Sequence, residues 1–145
     1  MTTLTHVLSG SCHCGALTLT LDTLHEPSAL PVRTCGCSFC VKHQPRYTSD
    51  PAGELTVRFA READVVRYRF GLRLADFLLC AKCGVFMAAV EPGDGGRAVL
   101  NLEVLARAAD FTAPSTQFTA YDSEDAVARK ARRAKNWTPA RVRVG

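Results

Sequence analysis

Hydrophobic and polar positions alternate in several short runs along this chain. Ala16-Leu17-Thr18-Leu19-Thr20-Leu21 alternates as a half-buried strand does. Leu55, Val57 and Phe59 alternate with Thr56 and Arg58, and Val66, Tyr68 and Phe70 with Arg67 and Arg69. Residues 76–80 and 85–90 are short apolar runs on either side of a Cys-rich turn, and residues 99–105 read as a further strand. Pro27, Pro31, Pro51-Ala52-Gly53, Gly71 and Pro92-Gly93-Asp94-Gly95-Gly96 separate the runs. Many short strands divided by turn residues predict a mainly β domain.

One helix is predicted, over residues 122–135. Asp122 or Ser123 would cap its start, Glu124 and Asp125 fall in its first turn, and Arg132, Arg133 and Lys135 in its last. That polarity suits the helix dipole. Ala126, Ala128, Ala131 and Ala134 favour the helical state. Trp137 is expected to anchor the end of the helix, and Pro139 to stop it.

Composition narrows the class. The 145 residues are 47% hydrophobic and 22% charged, the balance of a globular domain with its own core. It argues against a disordered chain, a collagen-like repeat and a coiled coil. No apolar run reaches the length of a membrane span. Met1-Thr2-Thr3-Leu4-Thr5-His6 lacks the basic start and apolar stretch of a secretory signal. The expectation is a soluble, cytoplasmic protein.

The formal net charge of +4 is unevenly placed. Residues 126–145 carry seven basic side chains and no acidic one, and the rest of the chain is net acidic. Such a run can meet nucleic acid, an acidic partner or an anionic substrate. The plainer expectation is a solvated helix face followed by a terminal strand. Trp137 is the only aromatic residue in that segment, which disfavours single-strand nucleic acid as the partner.

The cysteines carry the chemistry. All seven fall in three clusters: Cys12-His13-Cys14-Gly15, Cys35-Gly36-Cys37-Ser38-Phe39-Cys40 and Cys80-Ala81-Lys82-Cys83-Gly84. An odd number without an export signal does not suit a disulfide framework. The first and third clusters each place two sulfurs on a tight turn followed by glycine. Together they offer the four thiolates of a closed structural zinc site. The middle cluster offers three sulfurs and no fourth. Three protein ligands leave a position open, the mark of a catalytic zinc, unless His43 closes the site. Spacing alone leaves a structural role for the second ion, and an iron–sulfur cluster, as alternatives. Ser38 and Thr34 are candidate donors to the sulfurs. Lys42, Arg46 and Tyr47 lie just past the loop and are candidate contacts for a substrate carboxylate.

Gly10-Ser11-Cys12-His13-Cys14-Gly15, the middle cluster, Cys80-Ala81-Lys82-Cys83-Gly84-Val85 and the late Arg132-Arg133-Ala134-Lys135-Asn136-Trp137 together resemble the glutathione-dependent formaldehyde-activating enzyme family, which shares its domain with centromere protein V. The resemblance covers roughly residues 8–137 of a single domain spanning 1–145. It implies a β-tent fold of short antiparallel sheets with one C-terminal helix and two zinc ions. Cys12, Cys14, Cys80 and Cys83 match the structural site, and Cys35, Cys37 and Cys40 the catalytic one. The activity it implies is a carbon–sulfur lyase of the S-(hydroxymethyl)glutathione synthase type, joining glutathione to formaldehyde. After Cys40 this chain reads Val41-Lys42-His43-Gln44-Pro45, where that family often carries a basic residue and then glycine. The competing expectation is a non-catalytic two-zinc module that binds nucleic acid or protein through its basic C-terminal segment.

Overall fold

A computed structural model describes residues 6–93, 95–118 and 124–145 of the chain. Among these residues there are eleven strands: β1 (His6–Ser11), β2 (Thr18–Thr23), β3 (Val32–Cys35), β4 (Tyr47–Thr48), β5 (Glu54–Phe59), β6 (Val65–Tyr68), β7 (Asp76–Cys80), β8 (Phe86–Val90), β9 (Arg97–Asn101), β10 (Ser115–Phe118) and β11 (Thr138–Val144). A one-turn helix α1 (Cys40–His43) follows β3, and α2 (Ala126–Asn136) precedes β11. The mainly β reading with one longer C-terminal helix holds. No helix among the described residues is long and apolar enough to cross a membrane.

The strands join in one branched, mixed sheet, ordered β1-β2-β5-β11-β9-β4-β3-β10, with β6, β7 and β8 branching from β9. Most pairs are antiparallel, but β11 runs parallel to β5 and β10 parallel to β3. The expectation of antiparallel sheets alone is corrected here. Both parallel pairs join segments far apart in sequence, so no hairpin turn constrains their direction. β11 also pairs with β9 through Thr138 and Pro139 before turning to β5, and so ties the two halves of the sheet together.

Strand alternation creates two apolar clusters on opposite faces of β8 and β9. Ala98 and Leu100 of β9 enter the larger core with Leu19, Leu21, Leu55 and Val57, whereas Val99 enters a smaller one. β7 divides the same way, sending Leu78 to the large core and Phe77 and Leu79 to the small one. Its register on β8 jumps from Leu78↔Ala88 to Leu79↔Phe86, leaving Met87 as the extra residue of a bulge. That bulge lets Met87 and Ala88 both face the large core while Phe86 and Ala89 face the small one. The small cluster contains Cys40, Tyr47 and Trp137, with Cys35, Cys37 and Phe39 packed against it.

The predicted strand over 99–105 stops at Asn101, and a 3-10 turn follows over Leu102–Val104. The Asn101 side chain accepts from Glu103 N and caps that turn, which removes the backbone from the ladder. The predicted helix begins later than 122. Its cap is Asp125, whose carboxylate accepts from Ala128 N at 2.8 Å. Asp122 and Ser123 lie outside the described residues.

The expected solvated helix face is also corrected. The alanines of α2 are exposed, and Arg129, Arg132, Arg133 and Trp137 turn inward. Glu124 makes this tolerable: it accepts from Arg132 Nε at 2.8 Å and Nη2 at 3.1 Å, and from Arg129 Nε at 3.1 Å. The Arg132 guanidinium also lies 4.1 Å from the centre of the Phe118 ring, and that of Arg133 4.3 Å from the Trp137 ring.

Two outcomes are expected from this packing. Gly10 bridges to Leu105, and a Cβ there would collide with the Val104 carbonyl. Because backbone cannot give way as a side chain can, Gly10→Ala should cost ~1–3 kcal/mol in urea unfolding. The hydrogen bond from Arg132, more than any other contact, holds the Glu124 carboxyl below the usual carboxylate range. Its stabilisation is therefore full above the unfolded value of about 4.3 and is lost as pH falls through the lower folded value. Glu124→Gln should remove that acid-dependent component, read from Trp137 fluorescence during acid titration.

Candidate metal centre

The first group of ligands is built from two matching turns. Cys12 follows β1, and its N–H donates to Leu17 O at 2.9 Å; Cys80 ends β7, and its N–H donates to Val85 O at 3.0 Å. Inside each loop a glycine N–H returns to the first cysteine's carbonyl, Gly15 to Cys12 and Gly84 to Cys80. Gly15 and Gly84 have φ of 84° and 80°, a backbone shape that strains other residues. Backbone N–H groups also aim at sulfur: Leu17 N at Cys12 Sγ, and Lys82 N and Cys83 N at Cys80 Sγ, all within 3.4 Å. These donors favour negative charge on sulfur.

The sulfurs of Cys12, Cys14, Cys80 and Cys83 all lie within 4.8 Å of one another. The Cys12–Cys14 and Cys14–Cys80 separations are 3.7 and 3.6 Å. Tetrahedral zinc with Zn–S bonds of about 2.3 Å needs sulfurs about 3.8 Å apart, whereas a disulfide needs about 2.0 Å. The quartet therefore fits a four-thiolate zinc site, and none of the seven cysteines is in a disulfide. Four thiols this close cannot all ionise without a cation. Backbone donors from Val85 and Cys14 lower Cys83 to about 6. At Cys14 the Ala16 N–H favours the thiolate, but hydrogen bonds from the neighbouring cysteines and burial win and raise it to about 11.

The second group forms at the C-terminal end of β3. Cys35 ends that strand, Gly36 N donates to Phe118 O at 3.1 Å, and Cys40 opens α1. The sulfurs of Cys35, Cys37 and Cys40 lie within 4.8 Å of one another. Cys37 Sγ accepts from Cys40 N at 3.4 Å, and the Tyr47 hydroxyl lies 3.0 Å from Cys40 Sγ. The Phe39 N–H also favours the Cys37 thiolate; Ser38 is exposed, and Thr34 lines the cavity described below. Hydrogen bonds from Cys35 and Cys40 lower Cys37 to about 2, and the same neighbours, with burial, push Cys40 far up. One thiolate thus forms at the expense of the others, which is the charge problem a metal ion removes.

No histidine, aspartate or glutamate among the described residues joins the trio. His43, the candidate fourth ligand, stacks on Phe39 instead, with ring centres 4.3 Å apart. The open side of the trio faces a cavity of about 180 Å³. Phe70, Leu74, Phe77, Val99 and Trp137 form apolar walls, and Arg33, Arg129, Arg132 and Arg133 a cationic one.

The three predicted substrate contacts separate. Tyr47 lines the cavity and is buried. Lys42 is exposed on α1 and does not line it. Arg46 also lies outside the lining and pairs with Glu103 at 2.8 Å. Backbone direction explains this, because α1 and the turn after it carry residues 42 and 46 away from the sulfurs. Sequence reasoning missed Arg33 altogether and treated the α2 arginines as solvated. The available signal was Arg33 lying two residues before Cys35, which puts both on one face of a strand.

Metal analysis should give two ions per chain. Cys80→Ser should lower the count to one and destabilise the whole domain, because the quartet joins residues 66 positions apart. Cys37→Ser should also lower the count to one but leave the thermal transition nearer its original place. Acid should strip both ions, since protons compete for the same sulfurs.

The chain is similar in fold to the crystal structure of a Rhodobacter sphaeroides protein, a structural genomics target, with a TM-score of 0.57 and 23% sequence identity. The match covers 76% of this chain and 99% of that one. No family model matches the sequence, and neither does any curated protein.

Proposed function

We propose that this protein is a zinc-dependent enzyme of the carbon–sulfur lyase type that joins a small thiol to a small aldehyde such as formaldehyde. One observation carries the reading: Cys35, Cys37 and Cys40 converge without a fourth protein ligand among the described residues and face a cavity large enough for a small molecule. Zinc held by the trio would have a coordination position free for an outside sulfur and would favour that sulfur as thiolate.

The chain's own residues do the rest. The thiol sulfur adds to the aldehyde carbon. A carbon–sulfur bond forms, the carbonyl π pair moves to oxygen, and the proton lost by the thiol returns to that oxygen through solvent. The product is a hemithioacetal, and nothing is oxidised. Phe77, Val99 and Trp137 give the thiol an apolar wall beside the trio. Burial, and then Cys40, raise Tyr47 well above its ordinary range, so its hydroxyl stays protonated and donates to Cys40 Sγ. That bond orients one sulfur of the trio. The gain is mainly proximity, because three thiolates leave a bound ion little Lewis acidity.

Glutathione is the thiol that the family resemblance implies, and it serves as the first probe. The competing two-zinc module would bind through the basic C-terminal segment, where Lys130, Lys135, Arg141 and Arg143 are exposed. Arg129 and Arg132 are paired with Glu124, and Arg133 is buried.

In cobalt-substituted protein, adding glutathione should shift the sulfur-to-cobalt charge-transfer bands of the second site, and formaldehyde should then give hemithioacetal faster than in buffer. Cys37→Ser should lose both effects. Equal glutathione binding by wild type and Cys37→Ser would remove the basis of the assignment.

A further inference from the structure

Arg33 differs from the other arginines around the cavity. Arg132 is held by both oxygens of Glu124. Arg133 donates to Leu74 O at 2.8 Å and lies 3.5 Å from a Glu91 oxygen. Arg33 has one hydrogen-bond partner among the described residues, the neutral Ser49 hydroxyl, and no carboxylate. It is nonetheless half-buried in the cavity wall beside the sulfur trio. A guanidinium withdrawn from water without an anion is costly, and a ligand anion would remove that cost. Among the described residues the cavity lining includes four arginines and neither an aspartate nor a glutamate. Glu124 answers Arg129 and Arg132, and Glu91 lies beside Arg133, so among the described residues Arg33 is the cavity arginine with no carboxylate partner.

Position makes Arg33 useful to the sulfur site. Arg33 and Cys35 lie two apart on β3, so their side chains leave the same face of the strand, with backbones about 7 Å apart. A short molecule can place one end on the guanidinium and the other among the sulfurs. Apart from the arginines the described walls are largely aromatic and aliphatic; Tyr47 is already engaged by Cys40, and Thr34 and Asn136 are the other neutral polar side chains that line them. A ligand with several peptide groups would leave many of them unpaired there, at the full cost of desolvation.

Resting on the reading that a thiol binds at the trio, we infer that this thiol is a short mercaptocarboxylic acid: one carboxylate, received by Arg33, and an apolar carbon skeleton leading to the sulfur. Arg33 is thus a binding residue that selects the thiol. A tripeptide thiol fits this cavity less well than such an acid.

The test compares 4-mercaptobutanoate, its neutral partner 4-mercaptobutanol, and glutathione, each titrated into cobalt-substituted protein and followed by the charge-transfer bands of the second site. The acid should bind about tenfold or more tightly than the alcohol, the effect of one charge-assisted pair, and more tightly than glutathione. Arg33→Gln should abolish the preference for the acid while keeping two ions per chain, and Arg33→Lys should restore part of it. Equal binding of acid and alcohol by wild type would overturn the role of Arg33 yet leave the thiol reading standing; this arm needs no variant to fold. A preference that survives in Arg33→Gln would also overturn it. Glutathione binding more tightly than the acid would overturn the short, apolar skeleton. No spectral response to any thiol would overturn the thiol reading itself.

Discussion

Concentrated negative charge on sulfur is the constraint that organises this protein. Four sulfurs at one end of the sheet and three at another lie within 4.8 Å of their group neighbours. Without a cation, each group can ionise only in part, as the opposite displacements of Cys37 and Cys40 record. The fold meets that charge with backbone N–H groups, with the Tyr47 hydroxyl and with space for an ion. The paired turns at Cys12 and Cys80 are near copies, down to the glycine with positive φ. They bring the first strand pair beside the β7–β8 hairpin, with Cys14 Sγ 3.6 Å from Cys80 Sγ.

The two sulfur groups differ because the sheet gives them different surroundings. Cys12 and Cys80 belong to the larger apolar core, and their group is complete within the protein. Cys40 belongs to the smaller cluster across β8 and β9, and its group is open on one side. Alternation along β9 is what separates them: Ala98 and Leu100 serve one core and Val99 the other. Met87, the extra residue of the bulge, lets β8 serve both without breaking its pairing. One sheet thus insulates a closed site from an open one.

Helix α2 completes the open site by an uncommon device. Its inward stripe is cationic, and its alanines face solvent. Arginine can do this because its guanidinium stacks on rings and binds carboxylates in a fixed plane. Phe118, Trp137 and Glu124 supply both kinds of partner. The cavity therefore combines apolar walls with positive charge, a pairing suited to an amphipathic anion and ill suited to bulk water.

By itself the sequence determined the strands whose alternation is local, the existence of the C-terminal helix and the division of the cysteines into four and three. Each of these rests on neighbours a few residues apart: a two-residue side-chain period, a run of alanines and arginines, a sulfur-bearing turn. The place of Tyr47 beside the trio was legible for the same reason, since it follows Cys40 by seven residues. Only the tertiary structure decided that β11 runs parallel to β5, that Lys42 and Arg46 point away while Arg33 points in, and that the basic helix turns its arginines toward the sulfurs. Those outcomes depend on partners such as Ser49, Glu91, Glu103 and Leu74, which lie on other elements of the fold. A charge run reads the same whether water or a cavity lies beneath it, and it is the distant surface packed against it that settles which.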